Sequence, residues 1–66
     1  MEITVNNEIK IINDESLFSL TNSLLGEKTN GVAVAVNQNI IPKTDWEKTQ
    51  LKTNDAVLII KATQGG

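Results

Sequence analysis

The sequence holds one stretch of helical period set between runs of strand period, and that single short helix limits what the chain can build. Leu17, Leu20 and Leu24 recur at i, i+3 and i+7, Phe18 and Leu25 flank the stripe, and Ser19, Asn22 and Ser23 fall off it. Ser16 is the expected N-cap and Gly26 the expected stop, while Asp14 and Glu15 lie where the positive end of the helix dipole favours carboxylates. A helix of about two and a half turns is marginal by itself in water, so it must pack against other elements.

Elsewhere the period is two. Met1, Ile3 and Val5 alternate with Glu2 and Thr4, Asn6-Asn7 breaks the run, and Ile9 and Ile11 alternate with Glu8 and Lys10, which reads as a hairpin. Setting apolar opposite apolar predicts Val5 facing Ile9 and Ile3 facing Ile11, with a loop over Asn6 to Glu8 or a bulge. After a polar loop over Glu27 to Gly31, Val32-Ala33-Val34-Ala35-Val36 places Val on one face and Ala on the other. Asn37-Gln38-Asn39 turns the chain, and Ile40-Ile41 starts a strand that Pro42 cuts short, as suits an edge position. Thr44 to Lys48 reads as a short helical turn, Asn54-Asp55 as a further turn, and Ala56 to Ala62 as the most apolar strand.

A hairpin, a crossing helix and then a strand able to join the sheet in parallel beside the first describe an α+β roll. It is a mixed sheet of four to five strands with one helix across one face and the final strand central. One helix covers one face only. Of the pairs Val57/Ile59 and Leu58/Ile60, one must therefore face outward, with the small Ala33 and Ala35 beside it, as a candidate docking surface.

A chain of 66 residues has room for one domain, and without Cys or His it has neither disulfides nor a structural zinc site to supplement its core. The same absences exclude a thiol nucleophile, an imidazole base, a Ser-His-Asp arrangement and an ordinary zinc or copper site. A formal charge of −2, no Arg and scattered Lys argue against nucleic acid, whose binding rests on cationic neutralisation of phosphates. The longest apolar runs, Val32 to Val36 and Ala56 to Ile60, fall far short of the roughly 20 residues that cross a bilayer, and the first residues do not show the basic-then-apolar pattern expected of a signal peptide. The expectation is a cytoplasmic protein that contacts no membrane.

Thr63-Gln64-Gly65-Gly66 follows directly on the last strand, which divides the chain into an expected domain over 1–62 and a tail over 63–66. Four extended residues reach roughly 13 Å, enough to enter a partner's active site, and Gly lacks the Cβ that would jam a narrow channel. Such a tail suits a chain whose reacting group is its own carboxylate at Gly66. A carboxylate is a poor electrophile, so a partner must first activate it with ATP and supply the electrostatic stabilisation and positioning. The chain is then a co-substrate, not an enzyme, and binds no cofactor itself.

Ile3 and Val5, the stretch Val34-Ala35-Val36-Asn37-Gln38-Asn39-Ile40-Ile41-Pro42-Lys43-Thr44-Asp45-Trp46, the Asn54-Asp55 turn and Gly65-Gly66 together resemble the ThiS family of sulfur carrier proteins of thiamine biosynthesis. The resemblance spans nearly the whole chain and is most specific at Asn37 to Pro42 followed by Trp46. It implies a ubiquitin-like β-grasp fold with Val57 and Ile59 inside and Leu58 and Ile60 outside. It further implies that the Gly66 carboxylate is adenylated by a ThiF-type enzyme, takes sulfur from a sulfur donor protein to become a thiocarboxylate, and delivers it at a ThiG-type thiazole synthase. Leu58, Ile60, Ala33 and Ala35 would dock these partners. Lys43 stands where the family usually has Arg, and Asn54 where Gly often precedes Asp; Lys43 cannot reproduce a bidentate contact.

Other residues have plainer readings. Trp46 is expected to cap the small core rather than anchor a partner. The carboxylate pairs Asp45/Glu47 and Asp14/Glu15 are expected on solvated surface, with nothing apolar beside them to raise a pKa. Lys43 and Lys61 are weaker candidates for meeting an acidic partner. Two other readings share the sequence pattern: a relative with the same tail, such as the small subunit of molybdopterin synthase or a protein-conjugating modifier, and a plain interaction domain with an incidental Gly-Gly.

Overall fold

A computed structural model describes residues 1–26 and 31–61. Within them the chain forms β1 (Glu2–Val5), β2 (Glu8–Ile11), α1 (Leu17–Leu25), β3 (Val32–Val36), β4 (Asn39–Ile41), a 3-10 turn over Lys43–Lys48 and β5 (Ala56–Lys61). The strands make one sheet in the order β2-β1-β5-β3-β4. β5 is central as expected, parallel to β1 and antiparallel to β3. The expected loop over Glu27 to Gly31 lies, except for Gly31, outside the described residues, as do Ala62 and the tail over 63–66.

The first hairpin departs from the expected register. Val5 faces Glu8, Thr4 faces Ile9, Ile3 faces Lys10 and Glu2 faces Ile11, so the loop is the two residues Asn6 and Asn7 alone. Their φ values of 51° and 69° are both left-handed, the geometry of a type I′ turn, which Asn tolerates and which matches the twist of the strands. The Asn6 side chain then accepts the Ile59 N–H at 2.8 Å, tying the turn to the central strand. Turn chemistry thus overrides apolar matching, and a one-residue slip sends Ile9 and Ile11 to the other face of the sheet. They are 67 % and 71 % exposed.

The helix is bounded as its flanking residues predict. Ser16 Oγ accepts the Ser19 N–H at 3.3 Å, and Gly26, at φ 59°, donates its N–H to the Asn22 carbonyl at 2.9 Å. Asp14 accepts the Ser16 N–H at 2.9 Å. That bond first, and the Ser19 side chain second, hold its carboxyl below the ordinary value of 3.8. Leu17 and Leu20 are buried with Thr21, whose hydroxyl donates to the Phe18 carbonyl at 2.9 Å. Leu24 is 42 % exposed, so the stripe enters the core over its first turns and leaves it at the last.

Ile3, Val5, Val34, Val36 and Val57 from the sheet meet Leu17 and Leu20 from the helix, closed off by Trp46 and Leu51. Each such side chain contributes about 1.5–3 kcal/mol on full burial, the supply on which a domain without cross-links depends. Trp46 is core, as expected, with its indole N–H donated to the Ile41 carbonyl at 3.0 Å. Leu51 is held by a segment with no strand pattern in its sequence: Leu17 N–H bonds the Thr49 carbonyl at 3.1 Å and Leu51 N–H the Glu15 carbonyl at 2.6 Å. Five strands in a mixed sheet under one helix, with a parallel central pair, are the β-grasp arrangement the resemblance implied.

Candidate functional site

The uncovered face of the sheet is built from alternate residues of the strands. Because Val57 is buried and Ile59 partly buried against the helix side, β5 turns Leu58 and Ile60 outward, at 45 % and 46 % exposure. Strand pairing sets their neighbours. Ala35 lies between Leu58 on one side and Ile40 on the other, and Ala33 lies beside Ile60. The four residues expected to dock partners therefore share one face. They do so unequally: Ala33 is exposed, whereas Ala35 is 4 % exposed, a floor between two larger side chains. Thr4, Ala35, Ala56 and Leu58, rimmed by Asn7 and Gln38, line a shallow depression of about 220 Å³.

Ile40, 64 % exposed, belongs to this face and was not singled out from the sequence, although its place next to Ala35 follows once the second turn is known. That turn is Asn37-Gln38, at φ 51° and 72°, so Asn39 already pairs with Val36. Ile9 joins the same face through Thr4, and Ile11 through Glu2. Small and polar residues separate these two isoleucines from Leu58 and Ile60.

Polar contacts hold the start of β5. Asn37 donates its side-chain N–H to Asp55 Oδ1 at 2.9 Å and accepts the Ala56 N–H at 3.0 Å, while Asp55 Oδ2 accepts the Lys52 N–H at 2.8 Å. Asn54, at φ 73°, takes the left-handed conformation for which Gly is the commoner choice. The Asn37 and Asn54-Asp55 positions that carried the resemblance thus have a structural duty: they clasp the start of the central strand whose other end leads to the tail.

Gln64, Gly65 and Gly66 lie outside the described residues. Lys61 is the last described residue and lies on the helix side near Lys10 and Glu8, away from Leu58 and Ile60. Lys43 opens the 3-10 turn and borders a cleft with Phe18 and Trp46. Asp14, Glu15, Asp45 and Glu47 are all exposed, as expected of a solvated face. Among the described residues no three acidic, His or Cys side chains cluster as a metal site, and no helix is long and apolar enough to cross a membrane.

Among solved structures, the crystal structure of a thiamine biosynthesis protein (ThiS) from Geobacter metallireducens superposes with a TM-score of 0.83 at 23 % identity, each chain covered over 100 % of its length. The NMR solution structure of a thiamine biosynthesis protein from the same organism gives 0.78 at 23 % identity, covering 100 % of this chain and 88 % of that one. At that identity the likeness concerns the fold. No curated protein sequence matches the chain. The ThiS family model, in contrast, matches residues 1–66, taking in the strands, the asparagine clasp and the Gly65-Gly66 pair, and the chain belongs to the ThiS family.

Proposed function

We propose that this chain is the sulfur carrier of a thiamine thiazole pathway and that its reacting atom group is the carboxylate of Gly66. The observation that carries the reading is membership of the ThiS family over residues 1–66, a span that includes Gly65-Gly66. The composition supports it, because a chain without Cys or His has to borrow its catalytic groups. A ThiF-type enzyme lets the Gly66 carboxylate attack the α-phosphorus of ATP, with pyrophosphate leaving. A sulfide equivalent from a sulfur donor protein then displaces AMP, and the thiocarboxylate donates sulfur at a ThiG-type thiazole synthase. The chain holds no cofactor through this cycle and acts as a co-substrate rather than a catalyst.

Residues 1–62 form the docking body in this reading and 63–66 the tail that enters the partner. Leu58 and Ile60, with Ala33 and Ala35 beside them, offer the apolar surface against which a partner excludes water, and of these four Leu58 and Ile60 are large enough to act as anchors. ATP–pyrophosphate exchange with the adenylating partner tests the role of the tail. Removing Gly66 is expected to abolish exchange while the amide spectrum of the body stays unchanged. Exchange at the full rate in the shortened chain would reject Gly66 as the acceptor.

A further inference from the structure

β2 is an edge strand, and its free side is set by the corrected hairpin register. Met1 and Ile12 exchange both backbone bonds, with Ile12 N–H to the Met1 carbonyl at 2.9 Å and the Met1 ammonium to the Ile12 carbonyl at 2.7 Å. In an antiparallel ladder bonded pairs recur every second residue, so Ile3–Lys10 and Val5–Glu8 repeat that pattern. The N–H and C=O groups of Ile9 and Ile11 therefore point away from β1, toward the open edge. Edge strands are usually blunted by charges that repel a newcomer. Here the two charges on the strand are of opposite sign, two residues apart, with Ile9 between them.

We propose that β2 is a self-pairing edge, through which two copies of the chain join antiparallel with Ile9 on the two-fold axis. In that register Ile9 and its copy exchange both backbone hydrogen bonds, and Glu8 of each chain stands directly opposite Lys10 of the other. A slip of two residues either way sets Lys10 against Lys10 or Glu8 against Glu8, so charge complementarity selects one register. The charges lie on the helix side of the sheet, where α1 stands back from β2. A cleft of about 450 Å³ bordered by Glu8, Lys10 and Leu24 leaves room for the paired side chains. On the other face Ile9, 67 % exposed, meets its copy. The ladder is short, so the dimer is reversible and concentration-dependent, and it leaves Leu58 and Ile60 open. The inference is independent of the carrier reading.

The test is sedimentation equilibrium of the full chain up to about 1 mM, with charge-swapped variants. The unsubstituted chain is expected to rise in mass with concentration, accompanied by concentration-dependent protection of the Ile9 amide against hydrogen exchange. K10E and E8K, each alone, face like charges across the axis and are expected to stay monomeric. An equimolar mixture of the two is expected to associate, since the paired acidic side chains on β2 of the first variant then stand opposite the paired basic side chains of the second. E8K brings the chain to neutrality, so non-specific association would rise in that variant, opposite to the prediction. Association on mixing also reports that both variants are folded. A chain monomeric throughout the range, or one whose association survives K10E and E8K singly, would overturn the proposal.

Discussion

At the scale of single residues, the polar side chains that matter are those that fix a local backbone geometry. Asp14 is fully exposed, yet its bond from the Ser16 N–H sets the entry to the helix and lowers its pKa. The unfolded chain therefore binds a proton at Asp14 at a higher pH than the folded chain does. Its contribution to stability is complete above the ordinary value of 3.8 and is lost as the pH falls through the lower folded-state value. Urea midpoints measured from pH 7 down to about pH 2 should show this. D14N is expected to lose less stability than the unsubstituted chain over the acid end of that range, and parallel curves would contradict the assignment. Trp46 illustrates the opposite case, a residue whose aromatic bulk fills the core and whose one polar atom is satisfied by the Ile41 carbonyl.

At the scale of elements, the hairpin shows where a sequence can be read and where it misleads. Alternation identified β1, β2, β3 and β5, and Ser16 and Gly26 marked the helix, because these patterns depend on local geometry. Apolar matching failed for Ile9 and Ile11 because it assumes that every isoleucine is buried, whereas the Asn6-Asn7 turn decides register independently of what the following strand would bury. Leu51 was missed for a related reason. Its burial depends on its own backbone bond to Glu15 and on the bond between Thr49 and Leu17, neither of which has a periodic trace in the sequence. The turn assignment makes a contrast measurable by chemical denaturation. N7G supplies the residue a type I′ turn favours at its second position and is expected to hold or raise stability. N6A loses both the residue suited to φ 51° and the acceptor for the Ile59 N–H, and is expected to cost about 1–2 kcal/mol. Equal effects of the two would refute the two-residue loop.

At the scale of the whole molecule, one helix over a five-stranded sheet leaves an apolar face whose composition is set by topology. Alternation alone leaves Leu58/Ile60 and Val57/Ile59 equivalent; the family resemblance turns Leu58 and Ile60 outward, and burial of Val57 bears that out. Ile40 was not legible because its facing depends on the Asn37-Gln38 turn and on β4 lying beside β3. If this face docks the partners, L58E and I60E should each weaken binding to the adenylating enzyme by about tenfold or more while changing stability by about 0.5 kcal/mol or less. Titration calorimetry against thermal unfolding separates the two, and a variant that unfolds without losing affinity would show the face to be structural.

The carrier reading puts the reaction at the carboxylate of Gly66. The most direct test is the intact mass of the chain after incubation with an active ThiF-type enzyme, ATP and a sulfur donor. A sulfur carrier acting through Gly66 exchanges one carboxylate oxygen for sulfur, and the mass rises by that difference, with fragmentation assigning it to Gly66. An unchanged mass beside a partner enzyme shown to be active on its own carrier would contradict the account.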